Sequence, residues 1–402
     1  MKIGLIGPTY PYKGGISHYN TTLCNELSKK HDIFLISYKM QYPSLLYPGK
    51  GQIDRESTIK LNKTISIEYI IHTINPLTWI ETYFKIKKES PDLVIFQWVH
   101  PFLTFVFFTI TKLLKKFTNV KILYICHDVL PHERTKIDKF LIKIAFKGAD
   151  YFIVHSKEDY DNLIKITSNA KVKQSILPKY DIFNIKKQEI KNSSLAYNSK
   201  NYMQLKKDAQ KYLSIKENKK IILFFGIIRE YKGLMYLIKA IPKIINKIDV
   251  CFLIAGEFWD DKNKYVNEIK KLGIENYIKI FDTYIPDKEV GMYFSVADVV
   301  VLPYVSATQS GIVQIAYSFE KPVIITNVGG LPDVVDHGKT GIIVESENSE
   351  ELANAIIDYF NNDKEREFVE NIKIKNKEFS WDILIKDIED LIACPYTEES
   401  IQ

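Results

Sequence analysis

Arg229 and Lys232 stand three apart in FFGIIREYKGLMYLIKAI, between a strand-like run and a helix-like one, with Gly226 and Gly233 on either side. Open parallel sheets bind ligands beyond the carboxyl ends of their strands. Two cations there, at a helix start, suit a diphosphate whose charge grows as it leaves. Arg grips phosphate through a planar fork and Lys acts as a point charge; the plainer reading is two solvated surface cations. Farther on, the loop SATQSG runs into a helix near Ser310, Gly311 and Ile312. Its first N–H groups can hold phosphate or sugar oxygens without a charged side chain. A second glycine turn, VGGLPD, follows the next strand, so two turns at adjacent strand ends describe a pocket wall. Ordinary βα loops are the alternative.

Near the amino terminus, Gly14 and Gly15 precede an amphipathic helix, where backbone can approach a ligand closely. Six residues separate them from the first strand, so they are not the dinucleotide fingerprint, and a plain tight turn remains open. In YICHDVLPHE, His127, Asp128, His132 and Glu133 share one loop after a strand. The two imidazoles are five apart around a proline and lack the i, i+4 spacing of a helical zinc pair. A substrate-contacting imidazole at His127 is the favoured reading, structural hydrogen bonding the alternative, and no metal site is expected. No nucleophile elbow, phosphate-binding P-loop or EF-hand loop appears.

These residues need strand ends to hold them. KIGLIG, IFLISY, DLVIFQW, KILYICH and YFIVHS read as strands in the first half, separated by helices; residues 40–75 show no regular pattern. The alternation restarts with KIILFFG, VCFLIAG, YIKIFD, DVVVLPY, KPVIITN and TGIIVE. Strands alternating with helices predict parallel sheets of βαβ units. The reading is α/β, with two doubly wound, Rossmann-like domains over 1–178 and 217–376, a polar linker over 179–216 and an amphipathic final helix within 377–402. On that helix Trp381, Leu384, Ile385, Ile388, Leu391 and Ile392 share one face.

The four cysteines are scattered and form no CxxC pair, which points to reduced thiols in the cytosol. MKIGLIGPTY reads as a first strand and not a signal peptide. Net charge is +6, and Lys and Arg outnumber acids 28 to 17 over residues 1–190. That excess suits an anionic substrate, an anionic membrane surface or nucleic acid, or it is simply solvated. FQWVHPFLTFVFFTITKLLKKF (96–117) is apolar for about ten uninterrupted residues, short of the ~20 that span a bilayer. A buried helix behind a sheet is favoured over one dipping into a membrane interface.

With these residues in hand, the chain resembles glycosyltransferase family 4, retaining enzymes of the GT-B fold that use nucleotide sugars. GIIREYKGL, the AGE at 255–257, ADVVVLPY, KPVIITNVGGLPDVVDHGKTG and PTYPYKGGISHY carry the resemblance. It implies two domains facing across a cleft and a last helix that returns to the N-terminal domain. It implies that Arg229 and Lys232 bind the donor diphosphate, approached by Gly15 from the opposite domain. Ser310, Gly311 and Ile312 would offer N–H groups to donor sugar and phosphate, with His127 beside the sugar on the acceptor side.

The expected reaction moves a sugar, with retention, to a saccharide or lipid-linked saccharide in cell-surface polysaccharide or glycoconjugate synthesis. The nucleotide sugar is a co-substrate, and no metal or other cofactor is implied. The expected location is the cytoplasm, with peripheral contact at the anionic inner face of the membrane and no nucleic-acid partner. One departure stands out. Two glutamates separated by seven residues mark many relatives, and here those places hold Ala307 and Ile315, with Gln309 and Gln314 nearby. A non-catalytic GT-B partner of an active transferase and a GT-B sugar-nucleotide epimerase are the rival functions.

Overall fold

Short apolar runs such as LVIFQW and VCFLIA are buried along their whole length, the signature of central strands covered by helices on both faces. The computed structural model describes residues 1–43, 47, 49–55, 57, 59–131, 137–167, 171–183, 199–216 and 219–393, the side chains of 199–205 excepted. The first elements are β1 (Lys2–Ile6), α1 (Gly15–Leu27), β2 (Asp32–Met40), β3 (Ser66–His72), α2 (Pro76–Glu89), β4 (Leu93–Trp98), α3 (Thr104–Phe117), β5 (Lys121–Cys126), α4 (Asp138–Ala145), β6 (Tyr151–Val154), α5 (Lys157–Ile164) and β7 (Lys171–Gln174). Strand and helix alternate as the sequence predicts, except that β3 follows β2 directly in this order. The chain continues through α6 (Ser199–Tyr212), β8 (Lys220–Phe225), α7 (Leu234–Ile245), β9 (Val250–Ala255), α8 (Lys262–Leu272), β10 (Ile278–Phe281), α9 (Asp287–Val296), β11 (Val299–Leu302), α10 (Gly311–Ser318), β12 (Val323–Thr326), β13 (Gly341–Val344), α11 (Ser349–Asn361), α12 (Glu365–Lys375) and α13 (Trp381–Ala393).

These elements form two compact units. The first holds residues 1–55, 59–177 and the chain from 380 onward, around a sheet ordered β3-β2-β1-β4-β5-β6-β7. Every pair in it is parallel, with Ile3 beside both Ile33 and Leu93. Helices α2, α3 and α4 share one core with that sheet: Tyr83, Ile86, Phe107, Ile110, Leu114 and Ile142 pack on Phe34, Val94, Phe96 and Tyr124. Helix α13 packs against α1, β6 and β7 and buries Leu384, Ile385, Ile388 and Ile392. Polar contacts fasten it: the His31 Nε2 to Glu389 Oε1 pair at 2.8 Å, and Lys121 Nζ donating to the Ile392 carbonyl at 3.2 Å.

The second unit holds 56–58 and 178–379, around a parallel sheet ordered β10-β9-β8-β11-β12-β13. Both sheets are Rossmann-like, and the α/β class expected from the sequence is what the chain adopts.

Three features differ from the sequence reading. Within 40–75, read as irregular, lies β3, an edge strand SIEYIIH in which Ile71 is buried and the other residues are partly buried or exposed. Strand β7, KVKQ, is likewise a polar edge. Edges are covered on one side only, so they lack the continuous apolar run that reveals a central strand. In the stretch read as a linker, 199–212 is helix α6, packed on α9, with Lys206 Nζ 2.5 Å from Asp298 Oδ1.

Candidate functional site

In each sheet the chain order reverses at one place, between β1 and β4 in the first and between β8 and β11 in the second. Loops leaving the carboxyl ends of those strands diverge, and the crevice they leave is where open α/β sheets bind ligands. All the sequence-predicted residues follow the carboxyl end of a strand of one sheet or the other.

In the first unit, β1 leads through Gly7 to Gly14, which caps α1 at φ 101°, and Gly15 opens that helix. A Cβ at either would meet nothing within 4 Å, so open space lies at the head of α1. His127 follows β5, and its N–H donates to the Trp98 carbonyl at 3.0 Å. Its ring is buried: Nε2 donates to Gln97 Oε1 at 2.8 Å, and the Tyr19 ring meets it edge-on with centroids 4.7 Å apart. Gln97 itself requires the bare backbone of Gly7, where a Cβ would sit 2.6 Å from Gln97 Cγ.

His155, at the end of β6, joins the same cluster 5.9 Å from His127, and Trp381 of α13 lies 5.2 Å from Tyr19. Burial pushes the His127 pKa well down, helped by His155. Burial also lowers that of His155, to about 4, against the opposing pull of its Nδ1 bond to the Ser175 carbonyl. Both rings are neutral near pH 7 and serve as hydrogen-bonding groups, not charges. Asp128 adjoins them in sequence; His132 and Glu133 lie outside the described residues.

In the second unit, Arg229 leads a one-turn 3-10 helix, Glu230–Lys232, that ends at Gly233. Gly233 adopts φ 67°, and a Cβ there would fall 1.7 Å from the Pro303 carbonyl oxygen. Only glycine lets the cationic loop press against the turn after β11, where Val305 N–H also bonds the Tyr231 carbonyl at 2.8 Å. Lys232 Nζ therefore lies 3.9 Å from the centre of the Tyr304 ring. The Arg229 guanidinium sits 5.6 Å from the Tyr231 ring and 6.0 Å from that of Trp259. These aromatic faces hold both cations by cation–π attraction.

Ser310 precedes α10 in extended conformation, with no side-chain cap on the helix. The Ile312 side chain lies over Gly226, within 3.6 Å of where a Cβ would stand. The loop before α10 is tied to the VGGLPD turn by Gly330 N–H donating to the Thr308 carbonyl at 3.1 Å. The second unit thus brings Arg229, Lys232, Ser310, Gly311 and Ile312 together around one strand-order reversal. Ala307 and Ile315 are both buried, so no carboxylate stands at either place; Gln314 is buried beside Ile315, its Oε1 without a hydrogen-bond partner.

Among the described residues no group of three or more His, Cys, Asp or Glu is placed to hold a metal. A cavity of about 790 Å³ opens at the opposite end of the first sheet, lined by Met1, Asp92, Phe117, Lys121 and Ile392, and includes none of these site residues. Sequence reading did not single out Gln97, His155, Tyr231 or Tyr304. Each stands at a strand end or turn, but its role depends on contacts between strands distant in sequence.

One family model covers the segment bearing the cationic loop and α10. Residues 206–376 match the family of glycosyl transferases group 1. The matched residues lie within the second unit. An uncharacterized glycosyltransferase of Methanocaldococcus jannaschii is 26% identical over 248 residues, 58% of this chain and 61% of that protein. D-inositol 3-phosphate glycosyltransferase of Corynebacterium aurimucosum is 25% identical over 46% of this chain and 45% of its own. The chain thus spans about half to three-fifths of the length of these curated relatives. The structure of Anabaena HepE in complex with UDP superposes with a TM-score of 0.72 at 16% identity, covering 98% of this chain and 100% of HepE; its UDP-glucose complex gives 0.71 at 18% over the same shares. Such likeness establishes the fold, which is GT-B.

Proposed function

We propose that this chain is a retaining glycosyltransferase that takes a nucleotide sugar as donor. The observation that carries the reading is the pinned pair Arg229–Lys232 beside the amino end of α10. Gly233 seats the pair against Pro303, and no acidic side chain occupies Ala307 or Ile315 to compete with a bound diphosphate. The uridine diphosphate and UDP-glucose held by HepE make UDP-sugars the first donors to try.

In this scheme an acceptor hydroxyl attacks the anomeric carbon as its bond to the diphosphate oxygen breaks. The proton passes to the leaving diphosphate. Arg229, Lys232 and the first N–H groups of α10, at Ser310, Gly311 and Ile312, stabilise the growing charge. In the first unit Gly14 and Gly15 bring backbone to a phosphate, and neutral His127 offers a hydrogen bond to a sugar hydroxyl. The scheme calls for no metal. The acceptor class is a saccharide or lipid-linked saccharide of cell-surface polysaccharide or glycoconjugate synthesis, met at the cytoplasmic face of the membrane.

Removing one preorganised donor of this kind costs about 10²–10³ in rate. Arg229→Ala is expected to lower turnover at least about a hundredfold while the melting curve stays unchanged. A loss under threefold in a folded variant would overturn the assignment. The buried apolar residues at 307 and 315 favour one second reading, a non-catalytic GT-B partner of an active transferase. It predicts that UDP raises the melting temperature yet no sugar is transferred or hydrolysed from any donor.

A further inference from the structure

The basic, aromatic stretch 96–117 divides on folding. Phe96, Trp98, Val106, Phe107, Ile110 and Leu114 are buried in the first unit's core, so most of the segment is a covered helix and strand. A different surface is left open. Helices α2, α3 and α4 cover one face of the first sheet and turn their outer sides to solvent. On those outer sides stand Leu77, Ile80, Phe84, Phe105 and Phe140, between 42% and 74% exposed. Leu77, Ile80 and Phe84 fall at i, i+3 and i+7 on α2, opposite its buried Thr82, Tyr83 and Ile86, and make a continuous stripe. A concentration of exposed apolar side chains on one face marks a contact surface.

The charge around this face selects the partner. Lys87 and Lys88 close α2, Lys112, Lys115 and Lys116 line α3, and Lys139 and Lys143 stand exposed on α4. Lys112 lies 5.6 Å from the Phe108 ring and Lys116 5.1 Å from Phe117, so cation and aromatic face present together. Helix α3 has no acidic residue, Asp138 of α4 is buried, and Glu89 of α2 is paired with Lys2 and Lys85; Glu81 is the exposed acid on these helices. Lys115 is paired with Asp150. Among the described residues no helix is long and apolar enough to cross a membrane.

We propose that the outer face of α2, α3 and α4 is a docking surface for an anionic lipid bilayer, with the apolar stripe entering the headgroup boundary and the lysines meeting lipid phosphates. This face does not depend on the donor reading. It fits a protein that works on a membrane-anchored acceptor, and each unpaired lysine near the surface adds about fivefold to binding.

The test is co-sedimentation of the full chain with vesicles of phosphatidylcholine alone or with about a third phosphatidylglycerol. Binding to the anionic vesicles is expected to exceed binding to neutral ones at least tenfold and to weaken as salt rises. Leu77→Ser/Phe84→Ser, at two exposed sites, is expected to bind at least about tenfold more weakly with unchanged circular dichroism and melting. Lys112→Glu/Lys116→Glu is expected to lose the preference for anionic lipid. A chain that stays in the supernatant, binds both vesicles alike, or is indifferent to both variants overturns the proposal. So does a dimer in sedimentation velocity that Leu77→Ser/Phe84→Ser disperses, which would assign the face to a second copy. The UDP-induced melting shift is read separately, so failure of the docking face and failure of the donor site remain distinct.

Discussion

At the residue scale, the first unit depends on keeping polar rings neutral inside the protein. His127 and His155 are buried beside Tyr19, and both have pKa values held below the usual imidazole range by desolvation. For such a group the unfolded chain binds protons first as pH falls. Stability is therefore full above about pH 6.5 and declines below it, for His155 down to its folded pKa of about 4. Integrated over that window the loss amounts to about 3 kcal/mol for this one ring. His155→Gln removes the titration and keeps a polar group, so its denaturation midpoint is expected to fall less steeply between pH 6.5 and 4 than that of the parent. Equal slopes for the two proteins would show that His155 titrates alike in both states. His127 was visible from sequence as an imidazole at a strand end. Gln97 was not, since only the register of β4 against β5 sets Gln97 beside Ile125 and within reach of the ring that follows.

At the element scale, the decisive contacts are between loops that follow neighbouring strands. The Gly226 to Gly233 loop follows β8 and the Pro303 to Ser310 loop follows β11, and pairing of those strands sets them side by side. Gly233→Ala places a methyl group onto the Pro303 oxygen and demands φ 67° of a residue with a Cβ. Strain of this kind costs about 1–3 kcal/mol, and relieving it moves Lys232 off Tyr304. The variant is expected to lose about 2 kcal/mol in denaturant unfolding and most of any UDP-induced melting shift. A variant as stable as its parent would mean that the loop slides without consequence. The edge strands β3 and β7 and helix α6 escaped the sequence reading for a related reason: their partners, not their own composition, settle their conformation.

At the scale of the whole molecule, the chain crosses from the first unit to the second near Leu177 and returns after Phe379. Helix α13 is thus part of a core begun more than three hundred residues earlier, with Ile388 fully buried against the first unit. Ile388→Ala opens a cavity there and is expected to cost about 2–5 kcal/mol, read as a lowered denaturation midpoint, while Ile383→Ala at an exposed position of the same helix costs little. Equal effects would mean that α13 is not anchored by its apolar face. The sequence by itself determined the two parallel sheets, because continuous apolar strands alternating with amphipathic helices have few other ways to bury their surface. It also marked Arg229, Lys232 and the Ser310 turn, whose residue types suit phosphate wherever a strand ends. The tertiary structure alone decided that Gly233 meets Pro303, that Gln97 holds His127, and that Phe107 is core while Phe84 faces solvent. Those outcomes depend on strand order and on which helix face meets the sheet, and both are fixed by contacts between residues far apart in the chain.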